Sequence, residues 1–157
     1  MQTLTLRTFQ PADAPALRAV FHASVHQLAS RDYSAEQCRA WAPEHYDAAA
    51  WAARFAGLTT WIAEISGRVA GFASLRDDGY VDLFFVAPDF AGQGVGRDLM
   101  HVVLERGSKL AVDQLWADVS ETARPFFIRH GFVPQARQAV KRLGVQLHNY
   151  RMTRRFT

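Results

Sequence analysis

The sequence predicts an α/β chain of the α+β kind: a mixed, mostly antiparallel twisted sheet of about seven strands flanked by helices. Three observations predict it. Short apolar or alternating runs recur, and three of them follow one another across tight turns, the pattern of an antiparallel meander. Helical stretches with an apolar stripe separate the other runs. One apolar run, Leu83-Phe-Phe-Val86, feeds a glycine-rich turn that opens a helix.

Taken in order, Thr3 to Phe9 alternates polar and apolar residues and reads as strand 1. Asp13 is the expected cap of a helix running to about Ala29, with Leu17, Val20, Phe21, Val25 and Leu28 on its core face. Ser34-Ala-Glu-Gln37 is a capping box opening a second short helix, which Pro43 stops. Asp47 caps a third, ended by Gly57. Strand 2 runs from Thr59 to Ile65, and Ser66-Gly67-Arg68 turns it into strand 3, Val69 to Leu75. Asp77-Asp78-Gly79 turns that into strand 4, Tyr80 to Val86. Pro88 stops strand 4; Gly92, Gly94 and Gly96 follow, then a helix with Val95, Leu99, Val102, Val103 and Leu110 on one side. Gln114 to Val119 is strand 5, and Ala123 to His130 a helix that Gly131 ends while Phe132 packs back onto it. A hairpin closes the chain: strands about Gln135 to Leu143 and Val145 to Thr153, around Gly144.

A strand, a glycine turn and a helix start make a phosphate cradle. The glycines let backbone approach an anion, and the first N–H groups of a helix lack internal partners. The helix dipole adds partial positive charge. A dinucleotide fingerprint fails, because the sixth place is Arg97 counted from Gly92 and Leu99 counted from Gly94. A P-loop fails for want of Gly-Lys. The alternative reading is an ordinary glycine turn capping a core helix.

The spacing x-x-x-G-x-G, with Gly94 and Gly96 directly after Val86-Ala-Pro88, resembles the acyl-CoA pyrophosphate loop of the GNAT superfamily of N-acetyltransferases. The family pattern begins with Gln or Arg, and Ala91 stands there; Gln93 has the wrong spacing to replace it. That removes one side-chain contact and no backbone amide. Ala123-Arg-Pro-Phe-Phe-Ile-Arg-His-Gly-Phe132 resembles the family's second motif after its fifth strand. The segments Asp32-Tyr-Ser34, Ala40-Trp-Ala-Pro43, Thr122-Ala-Arg-Pro-Phe-Phe127 and Gly144-Val-Gln-Leu-His-Asn-Tyr150 are similar to those of small bacterial YafP-like members, so the resemblance spans nearly the whole chain.

This resemblance implies a fold splayed between strands 4 and 5. It also implies acetyl transfer from acetyl-CoA, as cosubstrate, to an amine-type acceptor, most readily a small molecule. Backbone of Phe84, Phe85 and Val86 would bind the pantetheine arm. Amides of Gly92, Gln93, Gly94, Val95, Gly96 and Arg97 would bind pyrophosphate. The family often places a tyrosine general acid where this chain has Phe127, which has no proton to give and would pack at the thioester end. The rival readings are a non-catalytic acyl-CoA-binding module, raised by Phe127 and Ala91, and a basic nucleic-acid-binding protein.

Acetyl transfer to an amine also needs a base. Asp82 is the candidate: a single acid inside Tyr80-Val-Asp-Leu-Phe-Phe-Val86, where a carboxylate costs desolvation unless it is used or paired. The alternative is a structural hydrogen bond. His22 and His26, one helical turn apart, and the aromatic Tyr33 and Trp41 are candidates for the acceptor wall, with Tyr46 as a further aromatic and Trp51 packing inside. The histidine pair has no third ligand in evidence, so no metal is expected.

Composition bounds the rest. At 157 residues the chain reads as one domain, 1–157, with 49% apolar and 21% charged residues, ordinary for a globular protein. The one cysteine, Cys38, can form no internal disulfide and lies in a helical pattern, where such residues usually pack. No signal-like segment or membrane-length apolar run appears, so a cytoplasmic bacterial-type protein with no membrane partner is expected, monomer or homodimer. Net charge is +3 and pI about 9.4, but the basic residues are scattered, with Arg151, Arg154 and Arg155 the densest group. That is no basic stripe for nucleic acid, and a mild positive field equally suits an anionic cosubstrate.

Overall fold

The computed structural model describes residues 3–157. In chain order it holds β1 (Leu4–Thr8), α1 (Ala14–Gln27), α2 (Ala35–Trp41), α3 (Ala48–Ala53), β2 (Leu58–Ile65), β3 (Arg68–Arg76) and β4 (Val81–Val86). Then follow α4 (Val95–Gly107), β5 (Gln114–Val119), α5 (Arg124–Arg129), β6 (Val133–Arg142) and β7 (Val145–Arg155). Strands β1–β4 pair antiparallel in order, and β5, β7 and β6 form a second antiparallel set.

The two sets meet through a single parallel bridge between Tyr80 and Trp116, where the Trp116 N–H donates to Gly79 O at 3.0 Å. Gly79 is needed there. Its φ is +93°, and a Cβ would stand 2.7 Å from Gln114 O. Beyond the bridge β4 and β5 separate, which is the splay the resemblance implied. The joint is pinned from above: the Tyr80 ring lies 4.3 Å from Trp116, and its hydroxyl donates to Asp118 at 3.0 Å. Asp118 also accepts from Arg151 at 2.7 Å and Gln138 at 2.8 Å.

Alternation along the strands sends apolar side chains to both faces. Ile62, Phe72 and Leu83 meet Leu17, Phe21 and Val25 of α1 on one face. Ala63, Ala73 and Leu75 meet Val95, Leu99 and Val103 of α4 on the other. Every one of these is buried, and each of the larger side chains contributes about 1.5–3 kcal/mol by leaving water.

Two local features matter for the site. The β3–β4 register passes from Leu75↔Val81 to Ser74↔Leu83, so Asp82 is the extra residue of a β-bulge. The acid that interrupts the apolar strand therefore sits where the ladder itself is interrupted. Asp13, expected to cap α1, does not. Its carboxylate instead takes two Arg7 guanidinium nitrogens at 2.8 Å and the Gln10 N–H at 2.7 Å, because Arg7, six residues earlier on β1, offers a charged fork. The other caps form as read: Ser34 and Gln37 exchange bonds of 3.1 and 2.8 Å, and Asp47 accepts from Ala50 N–H at 3.1 Å. Phe132 returns its N–H to Phe127 O at 3.0 Å after α5. Leu110, placed on the loop helix by periodicity, falls just beyond α4, and the terminal strands reach further than expected at the open end of the hairpin, β6 starting at Val133 and β7 ending at Arg155.

Candidate active site

The splay opens two cavities. The first, about 670 Å³, runs along β4 to the start of α4 and over to α5. Gly94 is the N-cap of α4 at φ +85°, and the first helical bond is Asp98 N–H to Gly94 O at 3.1 Å. The amides of Val95, Gly96 and Arg97 thus precede the helical ladder and face outward as anion donors. Arg97 folds back over the turn, its Nη2 2.8 Å from where a Gly94 Cβ would stand. Gly96 is helical, and the Phe126 ring covers it so closely that a Cβ would lie 3.1 Å away.

Beside the turn, β4 offers a free edge. Ala87 N–H donates to Ala70 O at 2.8 Å on β3. Strand alternation then turns Phe85 toward β3 and leaves the backbone groups of Phe84 and Val86 facing the cavity. The residues singled out from sequence converge here: Phe84, Phe85, Val86, Gly92, Gly94, Val95, Gly96, Arg97 and Phe127 all line it. Gln93 is exposed and is not among the lining residues. Phe127 is 3% exposed, with its ring 5.6 Å from Phe84 and 5.0 Å from Phe132, so it packs at the cavity wall.

The second cavity, about 560 Å³, lies between β4 and Arg18 and Phe21 of α1, whereas Ser24 and Val25 further along α1 line the first. The two meet at Trp41, Phe85 and Ser120, which line both. Asp82 lines the second, with Arg54 Nη2 at 3.4 Å as its charged neighbour. Tyr33 and Trp41 also line it. Tyr33 does more than form a wall. Its buried hydroxyl donates to His148 O and accepts from Glu121 N–H, both at 2.8 Å, and burial pushes its pKa up. It therefore ties the approach to α2 to β7 and to the β5–α5 loop.

His22 and His26 belong to neither cavity, a correction to the expected acceptor wall. Their rings stack at 4.1 Å, His26 Nε2 lies 2.7 Å from Ala42 O and His22 Nε2 lies 2.8 Å from Glu44. His26 fastens α1 to the segment after α2, while His22 Nε2 is buried beside Glu44 without a hydrogen bond among the described residues. Among the described residues no group of three His, Cys, Asp or Glu is placed to hold a metal ion. Arg18, Arg54, Tyr80 and Ser120 were missed from sequence. A signal existed for Arg18: it stands at the i+4 position from Ala14 and three before Phe21, on the apolar stripe of α1.

The loop that carries Ser120 is held by Glu121. His148 Nε2 at 2.9 Å, Tyr150 OH at 2.8 Å and Arg124 at 2.9 Å bring the Glu121 pKa down to about 2 from an ordinary 4.5. A depressed carboxylate pKa stabilises the fold above the unfolded value, and that stability disappears as pH falls through the folded value. Glu121→Gln is expected to destabilise at pH 7 by roughly 1–3 kcal/mol, a range reduced for partial solvent access. The gap between parent and variant should close between about pH 4.5 and pH 2, as read by thermal melting. A gap that persists unchanged at pH 2 would show that shape, not charge, holds the loop.

Comparison with known proteins adds to this geometry. Residues 29–154 match the model of the acetyltransferase (GNAT) domain. The chain is 35% identical over 152 residues to the uncharacterized N-acetyltransferase YafP of Escherichia coli K12, covering 97% of this chain and 96% of that protein. A GCN5-related N-acetyltransferase from Rhodopseudomonas palustris superposes with a TM-score of 0.94 at 38% identity, covering 99% of this chain and 98% of that one. The PaiA N-acetyltransferase from Thermoplasma acidophilum, solved with coenzyme A, gives 0.78 at 15% identity over 98% and 99% of the two chains, a likeness of fold.

Proposed function

Because this chain belongs to the GNAT acetyltransferase family, we propose that it acetylates a small amine directly from acetyl-CoA, both bound at once in the two joined cavities. It is an acetyltransferase with acetyl-CoA as donor. The observation that carries the proposal is the meeting of the cavities at Trp41, Phe85 and Ser120. An acceptor in one cavity can meet a thioester in the other where these residues line both.

The amides of Val95 to Arg97 hold the pyrophosphate, aided by the Arg97 guanidinium. Phe84 and Val86 hold the pantetheine arm by their cavity-facing backbone groups, and their N–H donors are placed to steady charge that grows on the thioester oxygen. Asp82, two residues before Phe84 at about 3.3 Å per residue, takes a proton from the amine. The amine nitrogen forms the new C–N bond, the C–S bond breaks and the sulfur leaves. Phe127 donates nothing, and the Tyr33 and Tyr80 hydroxyls are already bonded. The sulfur therefore leaves as thiolate, which a thiol pKa near 8.5 makes feasible, and takes its proton from water. Cys38 is buried, its pKa raised by burial, and takes no part. No helix among the described residues is long and apolar enough to cross a membrane.

The test is calorimetry with CoA and thiol release from acetyl-CoA across a panel of small amines, with the acetylated product identified by mass. Saturable CoA binding with acetylation of at least one amine class is expected. Binding without turnover across the panel would overturn the small-amine reading.

A further inference from the structure

Arg18 is a cation on an apolar stripe. Ala14, Leu17, Phe21 and Val25 around it on α1 are buried, and Arg18 itself is 5% exposed. Its guanidinium lies 4.1 Å from the Tyr46 ring and 5.3 Å from Phe21. One nitrogen, Nη2, donates to Pro43 O at 2.6 Å. Among the described residues it forms no ion pair; the only acid near enough to influence it is Glu44, whose side chain is 76% exposed and sits against His22. A charge this deep costs desolvation unless something compensates it. Burial lowers its pKa, but a guanidinium stays charged in a protein.

The donors left over open on the second cavity, which Arg18 lines. Asp82 has Arg54, and Asp118 has Arg151. Of the other charges lining the cavity, Asp47 caps α3 through the Ala50 N–H at 3.1 Å and Arg142 is exposed to solvent. The cavity therefore presents one unmatched, desolvated fork of N–H donors held flat against aromatic rings. That shape suits a carboxylate, which accepts two parallel bonds and carries the single charge required.

We propose that Arg18 binds a carboxylate of the acceptor, so that the substrate is a small amino carboxylate with its amine toward Asp82 and its carboxylate toward α1. This rests on the reading of the second cavity as the acceptor site. Arg18 is then a specificity-determining residue: it selects the acceptor and leaves the chemistry to β4.

The experiment compares free amino acids and short amino carboxylates with their amides and their decarboxylated amines. An amide of an α-amino acid has the more easily deprotonated amine, so a preference for the acid cannot come from basicity. The parent is expected to favour the acid at least tenfold in kcat/KM. Arg18→Met should bring that ratio to about one, mainly through KM for the acid, with CoA affinity by calorimetry unchanged; Arg18→Lys should keep part of it. Where Arg18→Met fails to fold, the acid-to-amide ratio of the parent and of Arg18→Lys decides. Equal use of acid and amide by the parent, or a preference that survives Arg18→Met, would overturn this proposal and leave acetyl transfer to amines standing. A protein that binds CoA and acetylates neither class would overturn both.

Discussion

Gly94→Val is expected to weaken CoA binding by at least 100-fold while the protein still folds. Gly94 holds φ +85° at the N-cap of α4. A left-handed conformation costs an ordinary L-residue roughly 1–2 kcal/mol, and a β-branched one more. Valine would relieve that strain by swinging the turn back, and the amides of Val95, Gly96 and Arg97 would lose their common aim. Its side chain would also displace the Arg97 guanidinium, whose Nη2 lies 2.8 Å from the Cβ position, but that exposed side chain swings away at little cost, so the backbone strain decides. Gly96 makes a useful contrast. It sits in helical backbone, and its constraint is the Phe126 ring 3.1 Å from the Cβ position. Gly96→Ala should therefore need a shift of a few tenths of an ångström at Phe126 and weaken binding less. Calorimetric titration with CoA, beside a thermal melt to establish folding, reads both. An affinity for Gly94→Val within a few-fold of the parent would mean that the pyrophosphate does not sit on this turn.

What the sequence made legible was local. Alternation in β2 and β3, the paired caps at Ser34 and Gln37, and the strand-turn-helix at Gly94 involve residues only a few positions apart, so pattern alone places them. The pyrophosphate turn was legible for the same reason, since its donors are consecutive amides. What was hidden depended on partners far along the chain. Asp13 is the near exception: it looks like a cap, but Arg7, six residues earlier, is aimed at it from β1 and is the stronger donor. His22 and His26 point as a pair from α1, yet only the path of the chain after α2 decides that they meet Ala42 and Glu44 and not the cavity. The bulge at Asp82 arises from register against β3, which no property of β4 alone announces. Arg18 lies between these cases. Its place on an apolar stripe was readable, whereas its lack of an acidic partner could be known only once α1, Pro43 and Tyr46 were brought together.

Asp82→Asn is expected to lower turnover by about 10²–10⁴-fold, the usual loss when a general base is removed, with CoA affinity nearly unchanged. The geometry separates this outcome from a structural role. A structural acid in a strand would be well bonded, and its loss would cost stability. Asp82 instead occupies a bulge, lines the acceptor cavity and, among the described residues, has one side-chain partner of opposite charge, Arg54 at 3.4 Å, with side chains 23% and 44% exposed. An ion pair that open contributes about 0–1 kcal/mol, so the variant should melt within a few degrees of the parent. Asp118 shows what a structural acid looks like in this fold: it takes bonds from Arg151, Gln138 and Tyr80 together. If Asp82 is the base, kcat falls, the acidic limb of the kcat/KM profile flattens, and Asp82→Glu restores part of the rate through a carboxylate one methylene longer. A rate for Asp82→Asn within a few-fold of the parent, on an acceptor the parent uses well, would assign Asp82 to the pairing with Arg54. The proton would then leave through water in the cavity between β4 and α1.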